Sequence, residues 1–250
     1  MKKLFFKRII FILGFAIFAH QTIPCAGDFD EPACLCGWDN LSIDEKVAIN
    51  LESIMKQIES YETIGYMSYN SGWLAGFIDS ISTDMSYGKP KENPVHIKVF
   101  ETLLKLFIKK GMNVHQKFES IFGNNLQNIT LMHKAITVDE SVVQVLINNG
   151  FKVDQDEELD ILCFAQAFIE NINHRIEQEK AFYDSLLRTE KDKKEQEYLK
   201  RSKTEKVQIF LDQCKRCVNA VQLFLKQCHP KAKQKFLKKY PNFEAIAKIA

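Results

Sequence analysis

The chain has 250 residues, 46% of them hydrophobic and 26% charged, with a formal net charge of +2. This is the composition of a globular protein with room for one or two packed domains, and it excludes a fibrous or low-complexity chain. A nucleic-acid binder needs a large positive excess, which is absent, and the sparse Gly (10) and Pro (6) favour helices.

The N-terminus reads as an export signal. Lys2, Lys3, Lys7 and Arg8 precede an unbroken apolar run of 11 residues, Ile9 to Ala19. That length suits a signal peptide and falls far short of the roughly 20 residues that cross a bilayer. Cys25-Ala26-Gly27 offers small residues for cleavage, so residues 1–27 are expected to be removed and the mature protein to be periplasmic or secreted. Their removal takes away four positive charges and no negative ones, which turns +2 into −2. Thr22-Ile23-Pro24-Cys25 is a poor lipid-attachment sequence, because Pro stands where a small residue is wanted.

Residues 28–93 form an N-terminal helical segment in this reading. Asp28 to Asn40 is an irregular leader. Ser42-Ile43-Asp44-Glu45 is a capping box, and the helix it opens carries Val47, Leu51, Ile54, Ile58 and Tyr61 at helical spacing. A shorter helix is expected from Trp73 to Ile81, followed by a loop from Met85 to Pro94 with Gly88 and Pro90.

Residues 94–187 contain a pattern that occurs twice. Leu103 to Val114 runs Leu-Leu-Lys-Leu-Phe-Ile-Lys-Lys-Gly-Met-Asn-Val, and Val142 to Val153 runs Val-Val-Gln-Val-Leu-Ile-Asn-Asn-Gly-Phe-Lys-Val. In each copy an apolar helical stripe runs into Gly111 or Gly150, and an apolar residue follows three places on. Thr130-Leu131-Met132-His133-Lys134-Ala135 precedes the second copy, and Glu140 to Asn149 would supply its antiparallel partner.

These segments resemble the ankyrin repeat, whose first helix opens with Thr-Pro-Leu-His-x-Ala and whose second ends at a Gly. The resemblance makes Thr130, His133, Ala135, Gly111 and Gly150 the structural signature, with Leu131 and Met132 departing from it. It gives His133 a structural hydrogen-bonding role. The two Gly are 39 residues apart against roughly 33 in an ankyrin repeat, and the surplus is placed in a long loop, Lys117 to Asn128. Asp160 to Ala165 resembles a decayed third opening helix, but the stripe Ile161, Ala165, Phe168, Ile172 and Ile176 predicts one long helix to about Leu187.

Residues 188–250 follow as a charged linker helix and a C-terminal helical region. Arg188 to Lys206 is a dense mixed-charge run. Val207, Phe210, Cys214, Cys217, Val221, Phe224 and Cys228 then make another stripe, His229-Pro230 breaks it, and a last helix or two carries Phe236, Tyr240, Phe243 and Ile246. The fold class expected is therefore all-α: a short ankyrin-like helical solenoid flanked by N- and C-terminal helices. One helical hairpin cannot bury its own apolar face, and about three stacked units are needed. The flanking helices should therefore serve as caps.

Little here points to chemistry. Cys214-Lys215-Arg216-Cys217, with Cys228-His229 beyond, has spacing compatible with zinc, yet the same spacings place the thiols on a core stripe. Cys34 and Cys36 suit a disulfide tethering the N-terminal segment. No Gly-x-Ser-x-Gly, His-Glu-x-x-His, P-loop or Gly-x-Gly-x-x-Gly occurs. No catalytic residue, metal or cofactor is assigned.

The function expected is that of an exported, non-enzymatic protein–protein interaction scaffold. By the resemblance, contacts come from turn tips and first helices. The candidate partner-binding residues are Phe118, Phe122, Asn124 and Asn125 in the long loop, with Asp154 and Asp156 in the next. The two Phe have a competing reading, in which they fold inward over the core. The partner is a protein and not a nucleic acid. Membrane contact is expected only through the signal or through the basic tail of Lys231, Lys233, Lys235, Lys238 and Lys239. Two alternatives stand beside this reading: an envelope-associated structural protein held by an uncleaved signal or that tail, and a cysteine-based zinc or thiol module.

Overall fold

A computed structural model describes residues 40–63, 71–86, 93–122 and 125–243. The expected signal at 1–27, the Cys34 and Cys36 pair, Asn124 and Ile246 lie outside the described residues, as do the side chains of Phe122 and Asn125.

The protein is all-α. Helices α1 (Ile43–Thr63), α2 (Ser71–Ser86) and α3 (Asn93–Lys109) precede strands β1 (Phe118–Phe122) and β2 (Asn125–Ile129). Helices α4 (Leu131–Ala135), α5 (Glu140–Asn148), α6 (Gln155–Thr189), α7 (Lys193–Gln227) and α8 (Pro230–Lys239) follow. Helix α2 runs further in both directions than the stripe suggested, so Met85 is helical rather than in a loop.

The helices are started by short polar side chains. Ser42 and Glu45 form the expected capping box, with Ser42 N–H donating to Glu45 Oε2 at 2.8 Å. Asp139 accepts from Ser141 N–H, Asp154 from Asp156 and Glu157, and Asp192 from Lys194 and Glu195. Each removes orphan donors that a helix start leaves open.

Two helices end in one geometry. Met112 N–H donates to Phe107 C=O at 2.9 Å and Gly111 N–H to Ile108 C=O at 3.0 Å. Phe151 N–H donates to Leu146 C=O at 3.0 Å and Gly150 N–H to Ile147 C=O at 3.1 Å. These are two Schellman turns, with the glycines at φ +93° and +90°. The repeat found in the sequence is thus a repeat in hydrogen bonding.

The packing has two layers. Helix α2 touches α4, and α4 touches α6; behind them α3 touches α5, and α5 touches α7. Pairs α2/α3, α4/α5 and α6/α7 therefore lie side by side. Helix α1 covers α3 at one end, joined by a Lys98–Asp44 ion pair, and α8 covers α6. Leu103, Leu104, Phe107, Leu131, Met132, Val142, Val143, Ile161, Leu162, Val218 and Val221 all belong to one contiguous core and are fully buried. Each such side chain contributes about 1.5–3 kcal/mol by leaving water. Beyond Ile176 on α6 and before Cys214 on α7 the two 35-residue helices carry no further fully buried side chain. They project as an antiparallel arm, tied by Lys203 to Asp184 at 2.6 Å and by Arg175 over the Phe210 ring at 4.6 Å. The mixed-charge run thus closes α6, turns at residues 190–192 and opens α7, and is not a separate element.

The segment expected as a long loop, Lys117 to Asn128, is instead an antiparallel β-hairpin, with Phe118 opposite Ile129 and Glu119 opposite Asn128. Its physical reason lies in the sequence: five-residue runs flank Gly123-Asn124, a pair suited to a two-residue hairpin connection.

A methyl group placed on the Cα of Gly150 would meet nothing within 4 Å, so Gly150→Ala tests backbone conformation alone. A left-handed residue with a Cβ costs about 1–2 kcal/mol. Thermal unfolding followed by circular dichroism should show a melting temperature lower by roughly 2–8 °C, with Gly111→Ala behaving alike.

Candidate functional site

The β-hairpin runs straight into α4, whose start is organised by its own side chains. Thr130 N–H donates to His133 Nδ1 at 3.2 Å, and Thr130 Oγ1 lies 2.9 Å from the same nitrogen. Because Nδ1 accepts from the backbone, the imidazole is neutral and carries its hydrogen on Nε2. That nitrogen lies 3.4 Å from Asp160 Oδ2 of α6. Thr130, His133 and Asp160 thus form a row that joins hairpin, α4 and α6.

The row superficially resembles a nucleophile, base and carboxylate. Thr130 and His133 are 0% and 1% exposed, so a substrate has no access to the hydroxyl, whereas Asp160 is open to solvent. The hydroxyl also shares Nδ1 with the backbone N–H that caps the helix. The arrangement holds a chain reversal in place.

Burial pushes the His133 pKa below its ordinary 6.5, Asp160 opposes that shift, and Lys117 adds to it. Lys117 is itself drawn to Glu157 at 3.6 Å. Outside the row, a recess of about 290 Å³ is lined by Gln127, Asn128, Ile129, His133, Asp160 and Phe164. The Phe164 ring stands edge-on to His133 at 5.2 Å between centroids. Strand β2, α4 and α6 each supply part of this wall. It is a concave polar surface with one aromatic plane and one exposed carboxylate.

None of the described residues favoured from the sequence for partner binding lines this recess. Phe118 is half-buried and packs on the core, opposite Ile129. Asn125 begins β2 and Phe122 ends β1. Asp154 caps α6, accepting from Asp156 N–H at 3.0 Å and Glu157 N–H at 2.9 Å. Asp156 is exposed and 3.7 Å from Lys235. Sequence reasoning named none of Gln127, Asn128, Asp160 and Phe164 as a binding residue. The signal available was that Asp160 and Phe164 lie one helical turn apart, i and i+4, on one face of the helix following the repeat.

The cysteines of α7 are core residues. Cys214, Cys217 and Cys228 are free thiols, buried among apolar neighbours. Burial raises all three thiol pKa values, that of Cys228 to about 12, so each resists forming a thiolate. Among the described residues no cluster of His, Cys, Asp and Glu has the geometry to hold a metal ion.

Comparison with protein-family models, with curated proteins and with solved structures finds no match.

The depressed His133 pKa has a thermodynamic consequence. In the unfolded chain the ring titrates near 6.5, and in the folded chain it titrates lower. Between those values the unfolded state binds the extra proton, so stability falls as pH drops below about 6.5. His133→Gln keeps a capping-box residue at this position and removes the titration. Denaturant unfolding at pH 7.5 and 5.5 should show a larger loss for the native chain than for His133→Gln.

Proposed function

We propose that the chain is a non-enzymatic protein-recognition scaffold of the ankyrin type, a short solenoid acting outside the cytoplasm. The observation that carries this reading is the pair of matching Schellman turns at Gly111 and Gly150, set in side-by-side helical pairs. The Thr130–His133 cap supports it further, since the resemblance assigns those residues that role. The opening helices and the β-hairpin edge would present the contact surface, and the recess beside Asn128 lies on it. Export rests on the charged and apolar pattern of residues 1–27.

Asn128 is exposed on β2, and Thr102 is exposed on α3 in the other layer. Capture of partners from the native compartment by the full chain should fall about tenfold or more with Asn128→Arg and stay unchanged with Thr102→Arg, because a buried mismatch costs on the order of 1–3 kcal/mol. Equal behaviour of the two variants would remove the hairpin face from the role.

A second reading has one specific observation behind it. Lys231, Lys233 and Lys238 of α8 are exposed, with no carboxylate at ion-pair distance among the described residues, beside a shallow concavity of about 560 Å³ floored by Pro230 and Leu237. Such a face suits an anionic membrane surface, at about 1 kcal/mol for each Lys near it. The scaffold reading expects the chain to stay at the bottom of a flotation gradient with phosphatidylserine vesicles. Flotation that is lost in a Lys231, Lys233 and Lys238 triple Gln variant would favour the envelope role.

A further inference from the structure

The two matching turns differ at a position that bears on chemistry. Ahead of its glycine the first has Lys110 and the second Asn149, and Asn149-Gly150 is the one Asn-Gly step in the chain. Every other asparagine is followed by a residue with a side chain. An Asn before Gly is prone to cyclise, because the next backbone nitrogen can close a five-membered ring on the side-chain carbonyl carbon. Glycine puts no Cβ in the way of that approach.

In the folded chain the reacting atoms are held apart. Asn149 stands at φ −99° and ψ 20°, where its Cβ points away from the Gly150 nitrogen. Gly150 N–H donates to Ile147 C=O at 3.1 Å, and Asn149 Nδ2–H donates to Val145 C=O at 2.8 Å. Phe151 N–H, bonded to Leu146 C=O at 3.0 Å, and its buried ring fix the residue beyond. Ring closure needs ψ of Asn149 to rotate, and that rotation breaks the turn. Solvent has access all the while. Gly150 is exposed, and a methyl group on its Cα would meet nothing within 4 Å. The protection is therefore conformational, not steric.

We infer that Asn149 is a spontaneous modification site, kept closed by the Schellman turn, at which a transient opening of α5 becomes permanent. The Gly150 nitrogen loses its proton to hydroxide and bonds to Asn149 Cγ, and the side-chain nitrogen leaves as ammonia. Water then opens the ring. Cleavage of the N–Cγ bond leaves aspartate, and cleavage at the backbone carbonyl leaves isoaspartate, whose main chain runs through Cγ. The sum is amide and water giving carboxylate and ammonium, with no change of oxidation state. Either product sets an anion at the C-terminal end of α5, against the helix dipole, and removes the Nδ2–H donor to Val145. Helix α3 ends instead on Lys109 and Lys110, the charge that suits such an end. With nine residues, α5 lacks the length to re-form on its own once that end is spoiled. The inference is independent of the scaffold reading.

The test incubates the full chain at mildly alkaline pH, folded or unfolded in guanidinium chloride at the same temperature. Peptide mass spectrometry follows the gain in mass from amide to acid, and chromatography separates isoaspartate from aspartate. The unfolded chain should convert first at Asn149, and at least about tenfold faster than the folded chain, because attack draws on the small open population. Lys110→Asn places the same step in the sister turn and should behave alike, slow when folded and fast when unfolded. Asn149→Lys copies the ending of α3 and should abolish conversion there without lowering the melting temperature. Asn149→Asp imitates one product and should lower the melting temperature by roughly 2–8 °C. Folded and unfolded rates less than about tenfold apart overturn closure by the turn. Conversion of the unfolded chain at another asparagine before Asn149 overturns the choice of site. An unchanged melting temperature for Asn149→Asp overturns the claim that modification makes the opening permanent.

Discussion

Helix α4 has five residues and α5 has nine, and neither length supports a helix in water. An isolated helix shorter than about 12–15 residues is marginal because nucleation costs more than its few hydrogen bonds return. These two exist because they are clamped between longer neighbours, with Leu131, Met132, Val142, Val143 and Leu146 buried on both sides. The middle of the stack therefore has no stability of its own. It borrows from α2 and α3 on one flank and from α6 and α7 on the other, while α1 and α8 close the outer faces. Stability in such an array is a sum of neighbour interfaces.

That dependence explains where the polar residues are spent. A short clamped helix still needs its ends satisfied, since an unpaired buried N–H costs about 1–3 kcal/mol. Thr130 and His133 meet that need within a single turn, and Asp139 does so for α5. The Schellman turn at Gly150 does it at the far end of α5, as the one at Gly111 does for α3, each with an apolar residue behind the glycine: Phe151 donating to Leu146, and Met112 to Phe107. Backbone satisfaction and core burial are thus solved by the same four or five residues at each reversal.

Much of this was legible in the sequence, because it rests on local rules. Gly111 and Gly150 are read from apolar stripes that stop at a residue free to take positive φ, and the α1 cap from Ser42 with Glu45 ahead of its stripe; the caps at Asp139, Asp154 and Asp192 were not read. The long helix through Ile176 follows from periodicity. The β-hairpin was missed because Phe118 to Ile129 mixes apolar, amide and acidic residues without strict alternation, so only Gly123-Asn124 marked it. The recess was missed for a different reason. Asp160 and Asn128 are 32 residues apart, and only the stacking of α6 against α4 and β2 brings them to one wall. Asp154 and Asp156 look equivalent to Asp160 as letters. They differ in what faces them, a property of the packed molecule.

The same histidine links folding to the surface. With Nδ1 taken by Thr130 N–H, the ring stays neutral, α4 stays capped, and Asp160 keeps its charge for whatever approaches the recess. A proton on Nδ1 would displace the capping bond and place a cation beside Asp160, satisfying the carboxylate from within. One titration therefore opposes the helix start and the outward charge together. Desolvation by the surrounding core, the largest influence on that ring, works against both losses. A well-buried His133 is the condition under which the scaffold is both closed at its centre and negatively charged at its rim.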